Sequence, residues 1–225
     1  TDFGYEVEMK IPFSSLIFPE VEKQEWKLMF FRKLTRLYFT LKPLKFVQIY
    51  YRLYFVLFKP LSISISKIKL RKTNWKIRFP NYRHSKFNDN NEFNFMNKTH
   101  SVTLDGWDNK DYPMLWRYNI HYFEDLSSVG ATNKTVLYNN LINDWVEKNC
   151  DQSKVSWDPY PTSLRIVNFI KWSVNGNHLN KESISSLYSQ FIWLSRRIEW
   201  HLLGNHLFAN AKALLFGSLF FEEKN

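Results

Sequence analysis

Residues 199–221 read EWHLLGNHLFANAKALLFGSLFF. Leu, Phe and Ala fill most of the run at helical spacing, which predicts a helix packed inside an α-helical domain. Five polar residues interrupt it: His201, Asn205, His206, Asn210 and Lys212. An unpartnered polar group costs about 1–3 kcal/mol when buried, so these side chains need partners or a purpose. In a continuous helix His201 and Asn205, four residues apart, share one face, and His206 adjoins it. Asn205 carries an amide donor and acceptor without charge, a group suited to gripping an oxygen anion without titrating. Leu202, Leu203, Leu207, Leu214 and Leu215 are assigned to helix packing.

Across residues 112–221 five stretches carry helical periodicity and short connections. They are YPMLWRYNIHYFEDL (112–126), NKTVLYNNLINDWVEKN (133–149), YPTSLRIVNFIKWSVN (160–175), NKESISSLYSQFIWLSRRIEWHLLGNH (180–206) and LFANAKALLFGSLFF (207–221), with a break expected after His206. The NKES opening of the fourth predicts an N-terminal cap. Residues 106–225 are therefore expected to be all helix and turn. Residues 34–105 differ. KPLKFVQIYYRLYFVLF (42–58) predicts a helix, with Pro43 in its first turn and Val47, Tyr50, Tyr51, Tyr54, Phe55 and Phe58 at helical spacing. Lys42, Lys45, Gln48 and Arg52 interrupt its apolar residues, which argues against a membrane span. Packing on the fold is its expected role, and a basic amphipathic helix on a membrane surface is the other reading. SISISKIKLRKTNWKIRFP (62–80) alternates like an edge strand, and FNFMNKTHSVTLDGWDNK (93–110) reads as a hairpin or extended connection with a turn at Asp105-Gly106. Residues 1–33 form a third texture, two short strands over 5–33 joined by a Pro-bounded turn.

Length and charge bound the function. A chain of 225 residues accommodates one large domain, or a medium domain with an appendage. Aromatic residues make up 18%, with 9 Trp and 12 Tyr, a surplus compatible with stacking on sugars or bases as well as with helix packing. The net charge of +10, concentrated in residues 32–86, favours a polyanionic partner: nucleic acid, anionic membrane or acidic polysaccharide. Nucleic acid is set aside because no helix-turn-helix, zinc finger or stacking platform is legible. Cys150 is the only cysteine, so neither an internal disulfide nor a thiolate metal cluster forms. The chain opens without Met or a leader and ends directly after an apolar helical run, and both ends read as cuts in something longer.

Several chemistries are excluded by spacing. His201 and His206 stand about 140° apart on a helix and do not converge on one zinc ion. Cys150 lies in the polar EKNCDQS and reads as a bystander. Glu124 and Asp125 are adjacent and project differently, so they do not form a glycosidase pair. Asp158 precedes a proline and reads as a turn residue. The six glycines are too scattered for a nucleotide loop, so no cofactor and no metal is expected.

Three stretches taken together, LWRYNIHYFEDL (115–126), WDPYPTSLRIVNFIKW (157–172) and RIEWHLLGNHLFANAKALLFGSLFF (197–221), resemble the N-terminal helical domain of the heparinase II/III-like polysaccharide lyases. The resemblance covers residue 34 to the end. It implies a mainly α fold, the first part of an incomplete α/α toroid, preceded here by the short β-rich segment. It also implies β-elimination of uronic-acid-containing polysaccharide in the periplasm or at the cell surface. By the same resemblance Asn205 and His206 match the family's Asn-His pair, with Asn205 neutralising the uronate carboxylate and His206 beside it. His201, Trp116, His121 and Arg165 are expected, from clustering, to line the substrate cleft. The family's catalytic Tyr and its sandwich-domain His have no counterpart in these residues, so residues 1–225 alone are expected to release no unsaturated uronate. Residues 1–33 resemble part of a family 9-like carbohydrate-binding domain of bacterial surface proteins, in the run IPFSSLIFP followed by Trp26 and FFR. Their abutment on residue 34 without a linker reads as a spurious fusion. The second function read from the sequence is a non-catalytic carbohydrate-binding or cell-surface protein, with glycan affinity and no turnover.

Overall fold

A computed structural model of the chain describes residues 28–58, 68–72, 78–88, 92–102 and 106–222, with side chains from residue 35 onward. The expected strand at the start of the chain and Asp105 lie outside the described residues, as does most of the expected strand over 62–80. The fold is mainly helical. Seven α-helices are present among the described residues: α1 (Leu28–Leu41), α2 (Phe46–Leu57), α3 (Met114–Ile120), α4 (Thr135–Lys148), α5 (Pro159–Val174), α6 (Lys181–Ser195) and α7 (Gly204–Phe220). Two compact units divide the chain after Leu44, so α1 belongs to one and α2 to α7 to the other.

The strand expected over residues 25–33 is corrected from Leu28 onward, where α1 begins. Its sequence LMFFRKLTRLYFTL has no Gly or Pro and only two β-branched residues, a composition that favours helix over strand. In α2 the first turn is closed by Gln48, whose side-chain oxygen accepts the Lys45 N–H at 3.0 Å. Pro43 stands before this helix rather than within its first turn.

The hairpin expected near residue 93 is present. Strand β1 (Glu92–Phe95) pairs antiparallel with β2 (Lys98–Ser101), opposing Glu92 to Ser101 and Phe95 to Lys98. Met96 and Asn97 form the two-residue turn, both with positive φ, as a tight right-twisted hairpin requires. From the expected strand over 62–80, a bridge between Leu70 and Phe221 is described.

The core is built mostly from α3 through α7 and the turns between them, joined by Phe87, Phe93 of β1, Val102 and Trp107. Helix α5 is buried nearly all round: Thr162, Ser163, Arg165, Ile166, Val167, Phe169, Ile170 and Trp172 are all inaccessible. It packs on α6, on α7 and on the 3₁₀ turn Glu124–Ser127, while α6 also meets α4 and α7. Helix α6 starts at the predicted cap, with the Asn180 side chain accepting the Ser183 N–H at 2.8 Å. Helix α7 corrects part of the expected division of labour. Its buried side is Ala209, Asn210, Ala213, Gly217 and Phe220, and Leu214 packs partly buried against the core, whereas Phe208, Leu215 and Leu219 are exposed, as is Leu202 in the turn before it. Small residues let the backbone approach closely. A Cβ at Gly217 would collide with the Phe191 ring of α6.

Candidate functional site

The interruptions in residues 199–221 sort themselves once the local backbone is known. The chain is not one helix there. Helix α6 ends at Ser195, residues 196–203 are turns, and α7 starts at Gly204. Leu203 has φ 61° and ψ −157°, a region normally left to glycine, and Gly204 follows with φ 51°. The shared face of His201 and Asn205 is therefore a correction: the two residues belong to different elements. The His201 carbonyl accepts from the Gln48 side chain at 3.2 Å, and the His201 ring lies edge-on to Phe55 of α2, centroids 5.5 Å apart. Burial, with Arg52, Arg197 and His206 nearby, lowers the His201 pKa and favours its neutral form.

Asn205 is exposed, in the first turn of α7, and His206 beside it is half-buried. Helix geometry leaves the N–H groups of this turn without intrahelical acceptors, and the helix dipole adds partial positive charge there. The His206 Nδ1 lies 3.1 Å from the Glu199 carboxylate, and its ring is tilted against Tyr160, centroids 4.5 Å apart. Glu199 is itself buried and firmly held. Asn210 donates from Nδ2 to its second oxygen at 3.0 Å and to Ser163 Oγ at 2.9 Å, and accepts the Glu199 N–H on Oδ1 at 2.7 Å. Burial raises the Glu199 pKa, against the Asn210 hydrogen bond and the His206 ring. Asn210, not Asn205, is thus the buried amide, and its purpose is to fix the carboxylate that orients His206.

Around this core stand residues from three other segments. Tyr118 of α3 donates its hydroxyl to Asp158 at 2.6 Å. Burial and that carboxylate push the Tyr118 pKa up, and burial raises Asp158 as well. Tyr122 meets Tyr160 edge-to-face at 5.9 Å. Asp158, expected as a turn residue, does begin α5, with proline at the first helical position, and also forms one wall of a cavity. That cavity holds about 310 Å³, at the low end of ligand-sized pockets, and is lined by Phe55, Trp157, Asp158, Trp193 and Arg197 among others. The Arg197 guanidinium lies over the Phe55 ring at 4.6 Å and over Trp193 at 5.6 Å.

Three expected cleft residues are corrected. Trp116, His121 and Arg165 are fully buried and present no surface to a ligand. Trp116 donates its indole N–H to the Lys98 carbonyl at 3.0 Å and packs among Phe95, His100 and Tyr112. His121 accepts the Trp145 indole N–H on Nδ1 at 3.1 Å, which places its own proton on Nε2, an atom left without a partner. Arg165 donates to Gln190 Oε1, to the His121 and Ser156 carbonyls and to Thr162 Oγ1, and its guanidinium lies 3.9 Å from the Trp145 ring. Together with Asn168, which donates to the Tyr122 carbonyl at 2.8 Å, it ties the end of α3 to α5 and so sets where Tyr118 and Tyr122 point. Burial depresses the Arg165 pKa, but arginine starts so high that the group stays a cation.

Glu199, Tyr160, Asp158 and Tyr118 were not among the expected site residues. The spacing of Glu199, His206 and Asn210 at seven and then four residues is the one trace of their cluster in the sequence. No family model, curated protein or solved structure matches this chain.

Proposed function

We propose that this chain is the substrate-gripping N-terminal helical part of a lyase that cleaves uronic-acid-containing polysaccharide by β-elimination. The observation that carries the reading is the first turn of α7, where exposed Asn205 stands beside a His206 fixed by the buried Glu199–Asn210 pair. Removing the C5 proton of a uronate drives negative charge onto its carboxylate, and donors preorganised there stabilise that charge. Asn205 and the N–H groups of the turn are such donors. With Glu199 ionised, His206 carries its proton on Nδ1 and keeps Nε2 free for the sugar. Tyr160 and Tyr122 add faces for a pyranose ring, and Arg197 in the adjoining cavity suits a second acidic sugar.

The helix order supports the architectural half of the proposal. Helices α4 to α7 pack mostly on the next helix or on the one after it, the pattern expected where an α/α toroid begins. The test is isothermal titration of residues 1–225 with oligosaccharides of alginate, heparan sulfate and hyaluronan. Binding to at least one of them, weakened about tenfold or more by Asn205→Ala and by His206→Ala, supports the proposal. Absence of binding to all three, or binding indifferent to both substitutions, contradicts it.

A further inference from the structure

Helix α2 has two faces of different fate. Gln48, Tyr51 and Phe55 turn toward the turn after α6, where Tyr51 meets Trp200 at 6.1 Å and Phe55 meets His201. Phe46, Tyr50, Leu53 and Leu57, spaced by four, three and four residues, form a second stripe that is bare. Phe46 is 82% exposed and Leu57 73%, and no residue of α2 is fully buried. A bare apolar stripe of this kind marks an interaction surface.

Charge narrows what covers it. Residues 26–88 contain sixteen of the 31 Lys and Arg and no Asp or Glu. Arg52 lies on α2, Lys42 and Lys45 precede it, and Lys59 follows it. A second copy of the chain would bring like charges together with no acidic residue in the segment to offset them. A polyanionic glycan would match the cations but leave Leu53, Val56 and Leu57 facing water. A surface that is both anionic and apolar beneath, as an anionic lipid layer is, satisfies the two features together. A 12-residue helix spans about 18 Å, too short for a bilayer core of about 30 Å, and no helix among the described residues is long and apolar enough to cross a membrane.

We propose that α2 docks this protein reversibly onto an anionic lipid surface, with Phe46, Tyr50, Leu53 and Leu57 entering the interfacial layer. The helix lies in the plane of the surface. Its exposed Tyr50 sits at headgroup depth, and Lys45 at its N-terminus reaches the lipid phosphates. The site is separate from the first turn of α7, so it does not depend on the proposed glycan grip.

Sedimentation of residues 1–225 with sucrose-loaded vesicles tests this, using phosphatidylcholine alone and phosphatidylcholine mixed with phosphatidylglycerol. Partition onto the anionic vesicles is expected to be about tenfold stronger and to weaken as salt rises. Leu53→Glu with Leu57→Glu should abolish it, with helicity by circular dichroism unchanged. Phe46→Ser, at the most exposed position, serves if the double variant does not fold, and should also weaken partition. Equal partition onto both vesicle types overturns the proposal, as does binding that Phe46→Ser and the double variant leave intact. So does a dimer in solution that these substitutions dissolve while vesicles remain unbound.

Discussion

Arg165 holds a buried charge on neutral groups alone: an amide oxygen, two carbonyls, a hydroxyl and the face of Trp145. Truncating it strands several buried acceptors at once, each worth about 1–3 kcal/mol. Arg165→Met is therefore expected to lower the free energy of unfolding by at least about 3 kcal/mol in urea titration. His121, neutral beside it, links stability to pH. Burial first, and the cations Arg165 and Arg117 next, hold its pKa well below the ordinary 6.5. Below that value the unfolded chain takes up a proton that the folded chain refuses. The stabilisation is thus complete above 6.5 and is lost as pH falls, approaching about 1.4 kcal/mol per pH unit. Asp125, Asp158 and Glu199 are raised by burial and act in the opposite sense, losing their contribution as pH rises from the ordinary carboxylate range. The difference in pH dependence between wild type and His121→Asn cancels those carboxylates, and the wild type should show the steeper loss from pH 6.5 to 5.5. Single residue types were poor guides here. An Arg, a His and a Trp set among aromatic residues suggest a cleft equally well whether they line it or prop it from behind. Only their burial separates the two, and burial depends on neighbours far along the chain.

At the scale of elements, α7 makes its closest approach to its neighbours through small residues, with Leu214, Phe216 and Phe220 packing around them. Gly217 lies where α7 crosses α6, and a methyl group there collides with the Phe191 ring. Gly217→Ala gains about 1 kcal/mol of helix propensity, which overpacking of about 1–3 kcal/mol outweighs. The variant should be less stable than wild type by roughly 1 kcal/mol in thermal or urea unfolding. Helix existence was legible for α2 through α7, because each carries apolar residues at three- and four-residue intervals and most are bounded by Pro, Gly or Asn. A break between the last two helices was expected after His206, whereas it lies at residues 196–203. RRIEWHLLGNH keeps helical periodicity through the turn, and Leu203, a good helix former, sits in a glycine conformation that only tertiary contacts sustain. That one break moved His201 away from Asn205 and brought Glu199 under His206. Leu202 and Leu215 misled for a related reason, since apolar character marks what can be buried, while close approach of α7 to its neighbours selected Ala and Gly.

At the scale of the whole molecule, α3, α5, the turn before α7 and the start of α7 converge on one region. Tyr118, Tyr122, Asp158, Tyr160, Glu199 and His206 come from sequence positions up to 88 residues apart, a separation read directly from their numbers. Composition anticipated the character of that region, aromatic and amide-rich with basic surroundings, and the mainly helical class. It did not anticipate the carboxylates, which are few and look ordinary in sequence until burial and hydrogen bonding single them out. The central claim is that the first turn of α7 grips the carboxylate of a uronate sugar. Its most direct test is the dissociation constant of residues 1–225 for a uronate oligosaccharide and for the same oligosaccharide with every carboxyl reduced to the alcohol. Loss of about tenfold or more in affinity on reduction, in the wild type but not in Asn205→Ala, is the predicted result. Equal affinity of the wild type for both sugars would contradict it.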